Sequence, residues 1–340
     1  QTKLLTAEKH NEYGLVYTLP VTALDIEVTA VREVKKAGQY YQYAKKYVGT
    51  DKVVKEDDES WTIEKVKVRP YGIPDPDARY LMQLKPGALA YIGVDADGML
   101  LSINTPPVVE EVEKTAPRPI EGEKIADREY LQYVDEDFIA SQSSAKQAQM
   151  LAENLMEIRE AKTSLTRGTA ETMPTDGKQL ELMLNSLAHQ EAALTAAFLG
   201  NTTRETVVRN FTYVPADNGR EVVFRMSDFD GFVAANDYSG EPVYIEIEIT
   251  NEGTLPVDAK GEEKKMPKDA VAYCVPGAAN VSLTYQGKKL FNKEFEMSQF
   301  GIVFGLNPSV FSDRKEPSYA VFDPSTGALK EIGPAKLAQE

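Results

Sequence analysis

The chain has 340 residues, and its composition argues against several classes of function. It contains 53 acidic and 38 basic residues, and the net charge of -15 argues against binding to nucleic acids and to anionic lipid surfaces. His10, His189 and Cys274 are the only histidines and cysteine, so few sites based on imidazole or thiolate groups can be assembled. Any catalysis would have to rest on carboxylates, tyrosines or hydroxyls.

The length predicts two domains, because one hydrophobic core seldom organises so long a chain. No apolar run reaches the roughly 18 residues that a membrane helix needs, so we expect no membrane-spanning segment. The sequence begins at Gln1 rather than methionine, which is expected either of a processed protein whose export signal has been removed or of a shortened form of a longer chain. The lone Cys274 cannot form an internal disulfide, and its apolar neighbours predict a small buried side chain.

Apolar and polar residues alternate over residues 24–30, which predicts a strand with one buried face. Further strands are predicted at 61–68, 80–84 and 91–103, the last with a hairpin turn at 95–98. We therefore predict an N-terminal β-rich domain over residues 1–103, with one short helix.

That helix is predicted over residues 39–48 and carries four tyrosines. Tyr40, Tyr43, Ala44 and Tyr47 share one helical face, so these tyrosines are expected to pack on the sheet. Alternatively they form a platform that stacks a sugar or a peptide, with Tyr41 the more exposed ring. The candidate ligand-binding residues are Tyr40, Tyr41, Tyr43, Tyr47 and Trp61.

Residues 104–140 are acidic, contain several prolines and show no sustained period, so we predict a linker. Two amphipathic helices follow. The first begins in a capping box at 144–147 and ends at Gly168, and the second is capped by Asp176 and ends at Gly200. A connection of about ten residues predicts an antiparallel helical hairpin over 141–200.

Glu191 lies in the apolar stripe of the second helix and must be paired or protonated if it is buried. Arg159 or Arg167 on the first helix is the predicted partner, and a partly exposed boundary position is the alternative. His189 is predicted to be a solvated helix residue, and no second histidine lies near enough in sequence to make it a metal site.

The chain returns to strands after residue 200, most clearly over 243–250, where isoleucine and valine alternate with polar residues. Other strands are predicted at 221–226, 270–275, 281–285 and 300–304, with a long exposed loop at 251–269. A C-terminal β-rich domain is thus predicted over 201–340. The predicted fold class is α+β, with two mainly antiparallel, sandwich- or barrel-like domains and a central helical hairpin.

The two β-rich arms contain similar sequences in the same order. Residues 17–23 are echoed by 273–279, and the hairpin signature at 91–100 is echoed at 319–329 with one extra residue in the later turn. Internal duplication is one interpretation, and chance recurrence of turns and proline-led strands is the other.

Asp228, Asp230 and Asp237 are the candidate ligands for a hard cation, because carboxylate oxygens suit such ions. The stretch lacks a full calcium-loop pattern, and an ordinary Asp-Gly turn is the alternative. The sequence has no glycine-rich phosphate loop, dinucleotide fingerprint or serine-hydrolase elbow, and we expect no cofactor.

Several stretches carry a resemblance to a known family. They are Tyr-Thr-Leu-Pro at 17–20, Ala-Gly-Gln-Tyr-Tyr-Gln-Tyr-Ala at 37–44, the helical stretch from 158–160 through 174–177, and the segments 190–200 and 239–242. With these the chain resembles a domain-of-unknown-function family of exported proteins from Gram-negative gut bacteria. The resemblance spans most of the chain and implies an exported location, whether periplasmic, outer-membrane-associated or secreted. It implies no activity and no site residues.

These observations favour a non-enzymatic binding or interaction protein at the cell envelope, with a protein or a glycan as its partner. One alternative is a carboxylate-dependent enzyme such as a glycan hydrolase, using Asp228, Asp230 or Asp237. Another is a structural subunit that assembles through strand edges or the helical hairpin. The oligomeric state stays open.

Overall fold

The structure of the chain is a computed structural model that describes residues 2–4, 14–82, 91–108, 112, 114–313 and 315–335. His10 and the end of the strand predicted at 80–84 lie outside the described residues. The fold class is α+β, with mainly antiparallel strands and a helical hairpin, as the sequence predicts. Among the described residues, no helix is both long enough and apolar enough to cross a membrane.

The described strands are numbered in chain order. They are β1 (Thr2–Leu4), β2 (Leu15–Lys36), β3 (Asp58–Met82), β4 (Ile92–Val94), β5 (Leu100–Ile103), β6 (Asn201–Tyr213), β7 (Gly219–Ser227), β8 (Gly231–Val233), β9 (Glu241–Asn251), β10 (Val271–Tyr285), β11 (Lys288–Leu306), β12 (Ser318–Phe322) and β13 (Leu329–Pro334). The α-helices are α1 (Ala44–Tyr47), α2 (Glu136–Ala140), α3 (Ser144–Arg167) and α4 (Gly177–Leu199).

The chain divides into two compact units, each assembled from separate stretches. Unit 1 comprises Gln1–Thr29, Glu64–Thr115 and Val208–Glu340, and unit 2 comprises Ala30–Ile63 and Ala116–Val207. The domain boundaries predicted at residues 103, 140 and 200 divide the chain into continuous segments that would fold independently. These boundaries stay a prediction, and limited proteolysis would test whether the chain is cleaved at them.

In unit 1, a five-stranded antiparallel sheet has the order β11-β10-β9-β7-β8. The alternation in β9 has the predicted effect, because Val243, Ile245 and Ile247 are buried while Glu246 and Glu248 are exposed. A four-stranded sheet has the order β13-β12-β5-β4, and a core cluster that includes residues of β5 and β12 packs beside it. Cys274 is 3% exposed, as predicted, and burial raises the pKa of its thiol to about 12.

The two sequence echoes make the same backbone contact within unit 1. The Thr18 amide donates to the Gly98 carbonyl at 2.9 Å, and the Cys274 amide donates to the Gly327 carbonyl at 3.0 Å. The order of elements repeats too, since two long strands and a short hairpin (β2 to β5) recur as β10 to β13. These shared features support the hypothesis of a duplicated arm.

In unit 2, the predicted helical hairpin is formed by α3 and α4. Asp176 caps α4 as predicted, with its carboxylate accepting from the Gln179 amide at 2.7 Å. The cap of α3 is Ser143, one residue before the predicted capping box, and Gly168 ends α3 in the left-handed conformation. Leu151, Leu155, Leu194 and Phe198 form the centre of the hairpin core.

Candidate ligand-binding site

The tyrosine segment forms a 3-10 turn at Tyr41–Tyr43 followed by the single-turn helix α1, rather than one helix over 39–48. Tyr40 is 3% exposed and packs against Tyr130, Phe138 and Phe198. The expectation that the stripe packs on the sheet is therefore wrong. Its partner is the hydrophobic cluster of the helical hairpin, and the Tyr40 amide donates to the Ala197 carbonyl at 2.8 Å, which attaches the turn to α4.

The remaining aromatic candidates are all half-buried, and Tyr43, Tyr47 and Trp61 contact protein side chains. Tyr43 and Tyr47 pack at the margin of the same cluster, and the Tyr43 hydroxyl lies 3.3 Å from the Ser144 hydroxyl. Tyr41 is half-buried as well, and the guanidinium carbon of Arg32 lies 5.9 Å from the centre of the Trp61 ring. Ligand binding by Tyr40, Tyr41, Tyr43, Tyr47 and Trp61 stays a prediction.

The three aspartates proposed as cation ligands lie near β8 in unit 1. Asp228 and Asp230 belong to the turn before β8, and Asp237 lies in the loop after it. The Asp237 carboxylate accepts from the Ser239 amide at 3.0 Å, and this bond lowers the pKa of the carboxyl group. Within the described ranges, no group of three or more His, Cys, Asp or Glu is placed so that it could hold a metal ion. The metal hypothesis gains no support from this arrangement and stays a prediction.

Unit 2 contains a cavity of about 390 Å³, a size at the lower end of the range typical of small-molecule sites. Three parts of the chain line it: the end of β2 and the residues just after it, the segment 125–130, and the C-terminal half of α4 with Asn201. The side chains that decide its chemistry are Lys36, Gln39, Asp127, Arg128, Glu129, Tyr130 and three alanines.

The alanines provide the floor of the cavity. Ala193, Ala196 and Ala197 lie at positions i, i+3 and i+4 of α4, which places them on one helical face. Ala193 and Ala197 are almost fully buried, while Ala196 is partly exposed. Because a methyl group occupies little volume, this face leaves room for a ligand where a larger side chain would fill the cavity.

Arg128 is held in an unusual backbone conformation at the edge of the cavity. Its φ of 52° and ψ of 30° lie in the left-handed region, which costs a non-glycine residue roughly 1 kcal/mol or more. Strain of this kind is often found at functional sites. The Arg128 side chain is exposed and makes no hydrogen bond or ion pair with the part of the chain that the structure describes. It is therefore available to a ligand.

The other cation of the lining is already paired. The Lys36 ammonium lies 2.8 Å from Asp57, whose second carboxylate oxygen accepts from the Ala37 amide at 2.8 Å. These bonds lower the pKa of Asp57, and the Asp57 carboxylate raises the pKa of Lys36. Of the two cations in the lining, Arg128 is therefore the one without an ion-pair partner among the described residues, and an anionic ligand would meet it.

His189 connects α4 to the segment that forms one wall of the cavity. Its Nδ1 lies 2.5 Å from Glu123 and its Nε2 lies 2.5 Å from Glu129. Hydrogen bonds to Glu123 and Glu129 raise the pKa of His189. The pKa of Glu129 is lowered, mainly by the hydrogen bond from the Ala126 amide and further by the hydrogen bond with His189. His189 is a partly solvated helix residue, with a side chain that is 38% exposed, and the folded chain also brings two glutamates from the predicted linker to it.

The buried side of the wall is fixed by Tyr130. Its hydroxyl donates to Gln39 at 2.5 Å, and burial raises the pKa of the phenol. Tyr130 is 5% exposed and its ring packs edge-on against Tyr40 and Phe138. The cavity wall is therefore anchored to the hairpin core on one side and to His189 on the other.

Glu191 does not belong to the cavity lining. It forms the predicted pair with Arg159 at 2.8 Å, and Lys162 adds a second partner at 3.0 Å. Both cations lower the pKa of Glu191 against the opposing effect of its burial. The group is a structural ion pair between α3 and α4.

The residues 127–130 were missed at the sequence level because they lie in the predicted linker 104–140. One signal was present: aromatic residues at 130, 133 and 138 are unusual in a solvated linker. In the structure Tyr130 and Phe138 are buried, and Asp135 caps α2 through the Phe138 amide at 2.9 Å. The second half of this segment is therefore an ordered part of unit 2.

A family model described as Domain of unknown function (DUF4831) matches residues 13–330. The chain belongs to this family. Comparisons with curated proteins and with solved structures found no match. Every residue that lines the cavity lies within the range matched to DUF4831.

Proposed function

We propose that this DUF4831 protein is an exported, envelope-associated binding protein that holds a small anionic molecule in the cavity of unit 2. The observation that carries the proposal is the unpaired, strained Arg128 at a cavity of about 390 Å³. The resemblance to exported proteins of Gram-negative gut bacteria supports the location. The same proposal includes a protein or glycan partner at the cell envelope and a role that is not enzymatic.

The cavity favours a ligand with one carboxylate or comparable anionic group. A guanidinium binds a carboxylate through two parallel hydrogen bonds, and such charge-assisted bonds contribute roughly 1.5–3 kcal/mol each. Asp127 and Glu129 also line the cavity and disfavour a ligand with several negative charges. The alanine face of α4 suits an apolar or flat body of modest size.

Preorganisation supports binding without a large conformational change. The wall is held by His189 at Glu123 and Glu129, and by Tyr130 at Gln39. Side chains fixed in the free protein lose little conformational entropy when the ligand arrives, so the exposed Arg128 side chain is the main group that binding has to order.

The cavity is tested by protein-observed NMR with a panel of small monocarboxylates, including amino acids, sugar acids and aromatic acids. We expect binders to shift the amide signals of Arg128 and Ala196. Ala196→Leu should fill the cavity and abolish these shifts, while Asn185→Leu, which adds the same side chain at an exposed position of α4, should leave them unchanged. Carboxylates that bind equally well to both variants would contradict the proposed site.

The location is tested separately by fractionating cells that express the full-length gene. The protein should appear in the periplasmic, outer-membrane or secreted fraction, with a cytoplasmic enzyme as the fractionation control. Recovery in the cytoplasm would contradict the exported location and leave the cavity proposal to its own test.

A further inference from the structure

Two aromatic side chains of unit 1 stand almost entirely in solvent. Phe229 is 80% exposed and Tyr238 is 84% exposed. Phe229 lies in the turn between β7 and β8, and Tyr238 lies in the loop between β8 and β9. Single exposed apolar side chains are common, but two exposed rings on neighbouring loops form a candidate binding patch, because aromatic side chains contribute most to interfaces.

The loop that carries Tyr238 is held in place by Arg225. The Arg225 guanidinium donates to the carbonyls of Ala235 at 2.9 Å and Gly240 at 3.0 Å, and it lies 4.6 Å from the centre of the Tyr238 ring. The Asp237 amide adds a bond to the Ala234 carbonyl at 2.9 Å. Tyr238 is thus supported from below by protein and presents its ring to solvent in an ordered position.

The turn that carries Phe229 is also ordered. The buried Ser227 hydroxyl accepts from the amides of Phe229 and Asp230, each at 3.3 Å, and Gly231 adopts a φ of 68° that suits glycine. Because the backbone is fixed in the free protein, a partner that contacts Phe229 does not have to order this turn.

The surroundings of the two rings are mainly acidic. Asp228 and Asp230 flank Phe229, Asp237 precedes Tyr238, and Glu241 begins β9. Arg225 is already engaged by two carbonyls and the Tyr238 ring. Among the described residues, Asp228 and Asp230 have no ion-pair partner, whereas the pKa of Asp237 is lowered by its hydrogen bonds with Ser239 and further by the charge of Arg225. The two loops meet at the edge where β7 ends and β9 begins, since Met226 pairs with Glu241. The patch therefore combines two exposed aromatic rings with more carboxylates than cations, and both features attract cations.

We propose that Phe229 and Tyr238, with Asp228, Asp230 and Asp237, form a docking surface for a cationic peptide segment of a partner protein. Lysine or arginine side chains of the segment stack on the two rings while their charges face the carboxylates. A neutral glycan would gain nothing from the carboxylates. A second copy of this chain is disfavoured by charge, because each copy carries -15 and the patch is itself acidic.

The test measures binding of a fluorescent octapeptide of alternating lysine and glycine to the full chain by anisotropy, with the glutamate–glycine peptide for comparison. The lysine peptide should bind and the glutamate peptide should not, and affinity should fall as salt rises. Phe229→Ala and Tyr238→Ala should each weaken binding about 3- to 30-fold, the range that cation–π contacts of this kind produce. Tyr238→Phe keeps the ring and should bind as the unmodified chain does.

The matched control is Tyr91→Ala, which removes an exposed aromatic ring elsewhere in unit 1 and should not change the affinity. Asp228→Asn with Asp230→Asn should weaken binding and flatten its salt dependence. Thermal unfolding of Phe229→Ala should match that of the parent chain, and Tyr238→Ala should lose only the small contribution of the contact between its ring and Arg225.

Three results would overturn the docking surface. The lysine peptide fails to bind at millimolar concentration, or it binds the alanine variants as tightly as the parent chain, which would mark a general attraction to an acidic protein. Alternatively, Phe229→Ala abolishes neutral-oligosaccharide binding or self-association measured by light scattering, which would assign the patch to a glycan or to a second copy.

Discussion

The imidazole of His189 and the carboxylate of Glu129 lie 2.5 Å apart and join helix α4 to the wall of the cavity. Glu123 contacts the other ring nitrogen, so a single side chain connects two glutamates that are six residues apart in sequence. An imidazolium can donate to both carboxylates, whereas a neutral imidazole can donate to only one. The stability of unit 2 should therefore depend on the protonation of His189.

The first prediction concerns this pH dependence. Because the folded-state pKa of His189 is raised above its usual 6.5, the stabilisation is fully present below pH 6.5 and is lost as the pH rises through the raised value. The pKa of Glu129 is lowered from 4.5, so its contribution is present above pH 4.5 and is lost as the pH falls through the lowered value. The two contributions coexist between about pH 4.5 and 6.5.

The measurement is denaturant unfolding of the chain and of His189→Gln at pH values from 5 to 9. The difference between the two proteins should be largest near pH 5.5 to 6 and should shrink at higher pH. Its size should not exceed about 1 kcal/mol, since the imidazole is 38% exposed and solvent screens its interactions. A difference that is independent of pH would show that His189 acts through packing alone.

The sequence predicted those features that depend on local patterns. The alternation in β9, the Asp176 cap and the glycine ends of α3 and α4 all follow from spacing along the chain, and they are found where expected. The pair between Arg159 and Glu191 could also be predicted from the sequence, because two helices in a short hairpin must face each other.

The candidate site could not be predicted from the sequence in this way. Arg128 and the alanines of α4 are more than 60 residues apart, and no period links them. The packing partner predicted for the tyrosine stripe is wrong for the same reason. An amphipathic pattern shows which face of the segment around Tyr40 is buried, but it does not show which element packs against that face. His189 illustrates the point further, since its glutamates come from a segment without regular periodicity.

The second prediction concerns the strain at Arg128. Arg128→Gly should stabilise the chain by up to about 1 kcal/mol, because glycine adopts a φ of 52° without steric cost, although it also gains entropy in the unfolded state. The same substitution should abolish binding of monocarboxylates. Arg128→Asn, a residue that tolerates the left-handed region, separates the two effects, since it should lose binding with a smaller change in stability. Thermal unfolding and NMR titration measure these outcomes, and a destabilised Arg128→Gly protein would contradict the strain.

The third prediction concerns a buried carboxylate in unit 1. Glu27 is 3% exposed and accepts from the Thr115 hydroxyl at 2.5 Å and the Thr115 amide at 3.3 Å, with Lys67 at 3.3 Å. Burial opposes ionisation, but the two Thr115 bonds and Lys67 outweigh it and lower the pKa of Glu27. Thr115→Val keeps the shape of the side chain and removes one donor, which should cost about 1–3 kcal/mol.

Equilibrium unfolding of Thr115→Val at pH 7 tests this value. The control is Thr254→Val, at an exposed loop position of unit 1, which should change the stability by no more than about 0.5 kcal/mol. Since the folded pKa of Glu27 is lowered, the contribution of the carboxylate is present above about pH 4.5 and disappears as the pH falls through the lowered value. The penalty of Thr115→Val should shrink in acid. An equal penalty at pH 3 and pH 7 would argue against a role for the charged form.

The fourth prediction concerns the two glycines that occupy equivalent places in the echoed arms. Gly98 and Gly327 accept from Thr18 and Cys274 and have φ values of 81° and 71°, so alanine is strained at both positions by roughly 1 kcal/mol. Their surroundings differ. A methyl group on Gly98 would have only the Thr18 hydroxyl nearby, at 3.9 Å, whereas one on Gly327 would meet the Pro20 ring at 2.8 Å. Pro20 is a rigid ring and cannot move aside as a flexible side chain could.

Gly327→Ala should therefore destabilise unit 1 by about 1–3 kcal/mol more than Gly98→Ala does, because it adds an overpacking cost to the same backbone strain. Denaturant unfolding of both variants measures the difference, and Gly287→Ala, at a positive φ of 74° with open space around it, gives the cost of strain alone. The loss of stability caused by Gly98→Ala should equal the loss caused by Gly287→Ala. Equal losses for Gly98→Ala and Gly327→Ala would mean that the two turns have the same environment, and the second arm would then have retained the packing of the first as well as its hydrogen bond.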